Sequence, residues 1–166
     1  MINFFQRLNL VKIVTNHFST FYSDSTKTIN WLELLIVIVL PFAIAAYLIF
    51  PNETELSEDT VQSLFQAFAI MGGFLINTLV VLTDKKQKYK EGRLCLDQYI
   101  LLKETLYNTS YGVLLCIICV ILCAMHSFLI ATSYLNLLNF LILATCFAFI
   151  HTLLMVIKRL NKIFEI

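Results

Sequence analysis

Two connections between the long apolar stretches of this chain contain no lysine or arginine. They are residues 51–60 and 132–136, whereas all 12 basic residues lie in three blocks at 1–30, 84–104 and 158–166. Positive charge near the ends of membrane spans stays on the cytoplasmic side. Four spans would place the three basic blocks on one side of a membrane and the two unbasic connections on the other. The sequence therefore predicts a four-span membrane protein with both termini in the cytoplasm.

Charged residues are also scarce, and no segment is long and polar enough to form a separate soluble domain. They make up 14% of the chain, while hydrophobic residues make up 59%, above the roughly 45–50% of soluble proteins. The sequence has no phosphate-binding glycine loop, no plausible hydrolytic triad and no paired buried carboxylates. We therefore expect no enzymatic activity and no cofactor.

Glycine and proline are few, with four and two residues respectively, while isoleucine, phenylalanine and asparagine are abundant. This composition favours a bacterial source with an AT-rich genome, so we expect the bacterial inner membrane as the location. Near Met1 the apolar residues are interspersed with Asn, Gln, Arg and Lys, so we expect no cleavable secretory signal there.

The predicted fold is all-α, a four-transmembrane-helix bundle with an N-terminal amphipathic helix. In residues 1–30, Phe4, Leu8, Val11, Val14 and Phe18 recur at helical spacing, which predicts a helix that lies in the membrane interface or packs on the bundle. Residues 31–166 form the membrane domain. Its spans are predicted at about 31–50, 61–83, 105–131 and 137–157, the length that a bilayer core requires. Residues 84–104 extend spans two and three into a cytoplasmic helical hairpin that turns at Gly92.

Span two carries a stripe of polar and small residues. Ser63, Gln66, Gly73 and Asn77 follow one another at steps of 3, 7 and 4, so they share one helix face. A side-chain amide in hydrocarbon requires a partner, and small residues let helices approach closely. The stripe is interpreted either as a helix–helix contact, within or between subunits, or as the lining of a polar pathway in an oligomer.

A second polar cluster is predicted at the cytoplasmic depth of the last three spans. It either satisfies hydrogen bonds and sets helix register, or couples the hairpin to a gate. Its members are Asn77, Thr78, Tyr107, Asn108, Ser110, Tyr111, His151 and Thr152.

Cysteines on span three have a spacing that resembles a set of metal ligands. Cys116, Cys119, Cys123 and His126 lie at i, i+3, i+7 and i+10, but one straight helix spreads them over about 15 Å, too far to surround one ion. A site formed by Cys116, Cys119 and His151 stays open as an alternative to packing.

The basic cluster of the hairpin is interpreted in two ways. It either binds lipid headgroups as a topology signal or binds an anionic regulator, which would be RNA, DNA or a cyclic nucleotide. Its members are Lys85, Lys86, Lys88, Lys90 and Arg93.

Two runs of residues belong to this short four-span chain with a basic hairpin. They are Gly-Phe-Leu-Ile-Asn at 73–77 and Leu-Leu-Lys-Glu-Thr-Leu-Tyr-Asn-Thr-Ser-Tyr at 101–111. In these features the chain resembles small membrane effectors of bacterial anti-phage systems of the Hailong type. The resemblance implies a homo-oligomeric, tetrameric, channel-like effector. A soluble cytoplasmic partner protein, or its nucleic-acid or nucleotide product, would control opening, and opening would collapse the membrane potential of the infected cell.

The leading hypothesis is therefore an oligomeric pore lined by span two, in contact with membrane lipid and gated by a cytoplasmic signal. The candidate pore or gate residues are Gln66, Gly73, Asn77, Asn108 and His151. Two alternatives belong to other classes. One is a non-conducting scaffold that recruits a soluble partner, and the other is a haem or quinone electron carrier that uses His126 and His151.

Overall fold

The computed structural model describes residues 9–23, 28–29, 31–51, 55–90, 96–129 and 134–165. They form five helices: α1 (Leu10–Ser19), α2 (Trp31–Ile49), α3 (Glu58–Lys90), α4 (Leu96–Leu129) and α5 (Leu135–Glu165). Between α1 and α2, strands β1 (Tyr22–Ser23) and β2 (Thr28–Ile29) pair antiparallel, with Tyr22 opposite Ile29. The predicted helical fold class is confirmed, and the two-residue ladder is an addition that the sequence did not predict.

Three helices are long and apolar enough to cross a membrane. They are Glu58–Gln87, Gln98–Leu129 and Leu135–Ile163, with mean hydropathies of 1.9, 2.6 and 2.5. The described apolar part of α2, Leu35–Ile49, is shorter. Length and composition are typical of a membrane protein. By length and hydropathy, three helices of the described residues are able to span a membrane, whereas the sequence predicted four spans.

The helices form a row in the order α3, α4, α5, α2, and α1 packs on α4. The helices α3 and α4 run antiparallel, because Gly72 lies beside Cys116 and Leu75 beside Gly112. The helices α4 and α5 also run antiparallel, because Cys119 lies beside Cys146 and Gly112 beside Thr152. The helices α3 and α2 are consequently the two edges of the row. We call the end where α3 ends, α4 begins and α5 ends the basic end, because it carries Lys85, Lys103 and Lys158.

The core is formed by one face each of α3, α4 and α5. Buried residues recur on α3 at seven-residue intervals, which is close to two helical turns and keeps them in line. They are Val61, Phe68, Leu75 and Leu82. Phe68 meets Phe149 of α5 edge to face, with ring centroids 5.0 Å apart. Gly112 of α4 allows close approach, since a Cβ there would lie 3.1 Å from Cδ1 of Leu75.

Local capping sets where α1 and α3 begin. The side chain of Asn9 accepts a hydrogen bond from the backbone N–H of Lys12 at 3.0 Å. In the same way Oγ of Ser57 accepts from the N–H of Thr60 at 3.3 Å, and Glu58 and Asp59 occupy the first turn of α3. These oxygens satisfy amides that have no intrahelical partner, and the acids suit the positive end of the helix dipole.

Candidate functional site

The outer side of α3 carries a row of exposed polar and small residues, which we call the α3 polar face. Its members are Gln62, Ser63, Gln66, Gly73 and Asn77. At 100° per residue they centre on the side of the helix opposite to the buried seven-residue row. The helix therefore buries its apolar row in the core and leaves the polar face exposed on its other side.

Nothing in the described part of the chain satisfies the amides of this face. Ser63 donates to the backbone oxygen of Asp59 at 2.8 Å, but the side chains of Gln62, Gln66 and Asn77 make no hydrogen bond to another described residue. A Cβ added at Gly73 would meet no atom within 4 Å. An amide in hydrocarbon costs several kcal/mol when it has no partner, so this face requires water or a second polypeptide.

A cavity of about 380 Å³ adjoins the same face at the end away from the basic end. Gln62 and Gln66 line it from α3, and His126 and Ser127 line it from α4. His126 is only 3% exposed, and its Nε2 atom has no hydrogen-bond partner among the described residues. The cavity is large enough to hold several water molecules, and its polar side chains can hydrogen-bond to them. Polar groups thus continue from the α3 polar face into the helix interface.

At the basic end, His17 of α1 is completely buried against α4. Its Nδ1 atom lies 2.7 Å from Oδ1 of Asn108, and its ring stacks on Tyr111 with centroids 4.0 Å apart. Thr20 also donates to Oδ1 of Asn108, at 3.3 Å. Because Oδ1 is an acceptor, Nδ1 of His17 carries the proton. We call His17, Thr20, Asn108 and Tyr111 the docking site of α1.

The docking site holds its histidine in the neutral form. Burial lowers the pKa of His17 from 6.5 to about 4; the hydrogen bond to Asn108 opposes this shift, and the nearby positive charges of Arg159 and His151 add to it. An imidazolium would be costly in this desolvated position. Docking of α1 therefore favours release of a proton from His17.

Arg159 of α5 connects three helices at the basic end. Its Nε atom lies 3.2 Å from Oε2 of Glu104 on α4, and Nη2 donates to the backbone oxygen of Thr20 at 3.3 Å. Thr20 is the C-cap of α1. A cation at this position interacts favourably with the negative end of the helix dipole, so Arg159 contributes to holding α1 in place.

The five pore or gate candidates fall into separate locations. Gln66, Gly73 and Asn77 are exposed on the α3 polar face, whereas Asn108 is buried at the docking site and His151 is half-buried on α5. The structure therefore does not join Asn77 to Asn108 in one network. The hydrogen-bond partners of Asn108 are His17 and Thr20, which were not among the candidates.

The buried cysteines pack in the core. Cys119 is fully buried, and its Sγ atom lies 4.0 Å from Sγ of Cys146 on α5. Cys116 packs beside Gly72. Within the described ranges no group of three or more His, Cys, Asp or Glu side chains is placed to hold a metal ion, and this includes the Cys116, Cys119 and His151 alternative.

The hairpin cations are only partly within the described residues. Lys85 and Lys86 are half-buried near the end of α3, and Lys88 and Lys90 lie in its last turns. The side chains of Lys88 and Lys90, and the whole of Arg93 and Gly92, lie outside the described residues.

The packing of α1 buries a residue that the apolar periodicity did not include. Of the predicted apolar residues, Val14 is half-buried and Val11 is 72% exposed. His17 and Phe21, four positions apart, are buried. The aromatic neighbours Phe18 and Phe21, both in edge contact with the His17 ring, were the signal that could have indicated burial.

No protein-family model, curated protein or solved structure matches this chain.

Proposed function

We propose that this protein is the subunit of a homo-oligomeric membrane channel whose pore is lined by the α3 polar face. One observation carries the proposal: the side chains of Gln62, Gln66 and Asn77 are exposed on the side of α3 opposite to its buried row, and they make no hydrogen bond to another described residue. Lipid cannot hydrogen-bond these amides. Repetition of α3 around an axis would let the same face line a water-filled path, and Gly73, which has no side chain, would leave that path open.

In this proposal α2 is the fourth span. Its 19 residues reach about 28 Å at 1.5 Å per residue, close to the thickness of a bilayer core. The basic end faces the cytoplasm, since lysine and arginine near span ends stay on that side. Both termini are then cytoplasmic, and the acids Glu55, Glu58 and Asp59 face outward.

A cytoplasmic signal opens the pore. Two features at the basic end support this part of the proposal. The helix α1 docks on α4 through the buried contact of His17 with Asn108, and the Lys85–Lys86 pair continues the basic sequence of the hairpin. Together with the resemblance of residues 73–77 and 101–111 to anti-phage effectors, they favour a channel that depolarises the bacterial inner membrane when a partner protein or an anionic nucleotide signal acts on it.

Planar-bilayer recording on the purified protein tests the proposal. We expect unitary currents from the wild type and a changed unitary conductance in Gln66→Leu and Asn77→Leu, because each removes a hydrogen-bonding group from the path. Phe65→Leu and Ile76→Leu are matched controls, since these residues are exposed neighbours that do not belong to the α3 polar face. Their unitary conductance should equal that of the wild type.

Two outcomes would contradict a pore lined by α3. If the Gln66 and Asn77 variants conduct as the wild type does while the controls differ, another helix lines the path. If no conductance appears with any nucleotide ligand while a soluble protein co-purifies, the chain is the non-conducting scaffold. A preparation with a Soret band would favour the haem alternative.

A further inference from the structure

A second cavity lies at the basic end, between α4 and α5, and it is apart from the α3 polar face. Its volume is about 190 Å³. The apolar groups Leu101 and Met155 line it together with four charged side chains, which are Glu104, Lys158, Arg159 and Lys162.

The charges in this cavity do not cancel. Glu104 is paired with Arg159, whereas Lys158 and Lys162 have no ion-pair partner among the described residues. Lys158 and Lys162 are four positions apart on α5, where like charges repel and destabilise a helix. Three cations and one carboxylate leave a net charge of +2, which an anion of charge about −2 would neutralise.

We propose that this cavity binds a phosphate monoester. At neutral pH such a group carries a charge of about −1.5 to −2 and three strong acceptor oxygens. Lys158 and Lys162 supply ammonium donors, and the guanidinium of Arg159 supplies a planar fork that suits phosphate oxygens. Leu101 and Met155 form an apolar wall that accommodates the organic part of the ester. The source is either a lipid headgroup or a soluble phosphorylated compound, which share this chemistry.

Occupancy of the cavity is coupled to docking of α1, because both use Arg159. The guanidinium donates to the backbone oxygen of Thr20 at the end of α1 and pairs with Glu104. A phosphate that recruits the guanidinium competes with both contacts. Thermodynamic linkage then requires that release of α1 strengthens phosphate binding by the same factor by which phosphate weakens docking.

Native mass spectrometry and calorimetry on the full chain in neutral detergent test the proposal. One arm titrates phosphatidic acid, with phosphatidylcholine as the control lipid; the other titrates inorganic phosphate and adenosine monophosphate. Each lysine near an anionic headgroup is worth roughly fivefold in affinity. We therefore expect the double variant Lys158→Ala/Lys162→Ala to bind at least roughly tenfold more weakly than the wild type, for whichever class of probe the wild type binds.

Glu104→Gln gives an opposite result that misfolding cannot mimic. Removal of the competing carboxylate should tighten phosphate binding by several-fold, and Asn108→Ala should tighten it through release of α1. Lys12→Ala is the matched control, because Lys12 is an exposed cation on α1, and its affinity should equal that of the wild type. Binding of the lipid alone identifies a headgroup site, and binding of the soluble probes alone identifies a cytosolic ligand.

The proposal is overturned if neither arm shows saturable binding by the wild type. It is equally overturned if the double lysine variant binds as tightly as Lys12→Ala, or if Glu104→Gln weakens binding. These readouts concern binding only, so they are independent of whether the chain conducts.

Discussion

Nδ1 of His17 lies 2.7 Å from Oδ1 of Asn108, across 91 positions of the sequence. This contact attaches the amphipathic helix α1 to the basic end of α4. It also leaves Nε2 of His17 and Nδ2 of Asn108 buried without a hydrogen-bond partner among the described residues. A buried polar group without a partner is costly, so these two atoms offset part of the stabilisation that the hydrogen bonds of Asn108 and Arg159 and the stacking on Tyr111 contribute to docking.

The first prediction concerns the docking contact itself. Asn108→Ala leaves His17 without its buried acceptor, which should lower the free energy of docking by about 1–3 kcal/mol. Trypsin cleavage after Lys12, which is exposed on α1, should become faster as α1 spends more time released. Thr15→Ala is the control, because the Thr15 hydroxyl donates only within α1, to the oxygen of Lys12. Equal cleavage rates in the two variants would contradict the docking role of Asn108.

The second prediction is a pH dependence of docking. The pKa of His17 is about 4 when α1 is docked and about 6.5 when it is free. Docking should therefore have its full strength above pH 6.5 and weaken by up to about 1.4 kcal/mol per pH unit as the pH falls from 6.5 towards 4. A fluorophore attached at Thr15→Cys should report release over this range.

His17→Gln is the control for this titration, since glutamine keeps a donor for Asn108 but does not titrate. Its signal should be constant between pH 6.5 and 4. Persistence of the wild-type transition in this variant would assign it to the other titratable groups that face the docking site, namely Glu104, Tyr111, His151 and the Arg159 ion pair.

The third prediction compares one substitution at two glycines. Gly112→Leu would overpack the core, because a Cβ at Gly112 already lies 3.1 Å from Leu75 and 3.9 Å from Cγ2 of Thr152; the expected loss of stability is about 1–3 kcal/mol. Gly73→Leu adds a side chain where no atom lies within 4 Å, so the isolated subunit should keep its stability.

In a pore lined by the α3 polar face, the same Gly73→Leu change should lower the unitary conductance, because leucine places an apolar side chain in the path. Thermal unfolding and planar-bilayer recording measure the two effects separately. Wild-type conductance of Gly73→Leu, together with wild-type stability of Gly112→Leu, would contradict both assignments.

The fourth prediction distinguishes the core from the outer side of α5. Ile142 is fully buried, so Ile142→Ala should lower stability by about 2–5 kcal/mol through lost contacts and a residual cavity. Ile150 on the same helix is 51% exposed, and Ile150→Ala should cost less than about 1 kcal/mol. Equal thermal midpoints for the two variants would show that α5 packs through a different face.

Residue spacing along α3 was sufficient to predict the polar stripe, since Ser63, Gln66, Gly73 and Asn77 share a face on any straight helix. It was not sufficient to choose between a contact within the subunit and a face open to other molecules. That choice depends on where α4 packs. In the structure α4 covers the row that contains Phe68 and Leu75, on the opposite side, which leaves the polar stripe exposed.

The spacing of Cys116, Cys119 and Cys123 illustrates a different limit. The geometry of one helix was sufficient to exclude a metal site made from α4 alone. It did not predict that the neighbour of Cys119 is Cys146 on α5. Antiparallel registration of two helices decided this pairing, and registration depends on packing along their full length rather than on any local pattern.

Local and one-dimensional features were determined by the sequence itself. Long apolar runs with few charges specify helices that can cross a membrane, because every backbone polar group must be satisfied within the segment, and the basic blocks predict which ends share one side. The tertiary structure alone decided which helix faces are covered: α3 presents its polar face outward, His17 is buried rather than exposed, and Arg159 joins α1, α4 and α5. The physical reason is that burial and pKa depend on partners distant in sequence, such as Asn108 for His17, and periodicity within one helix contains no information about them.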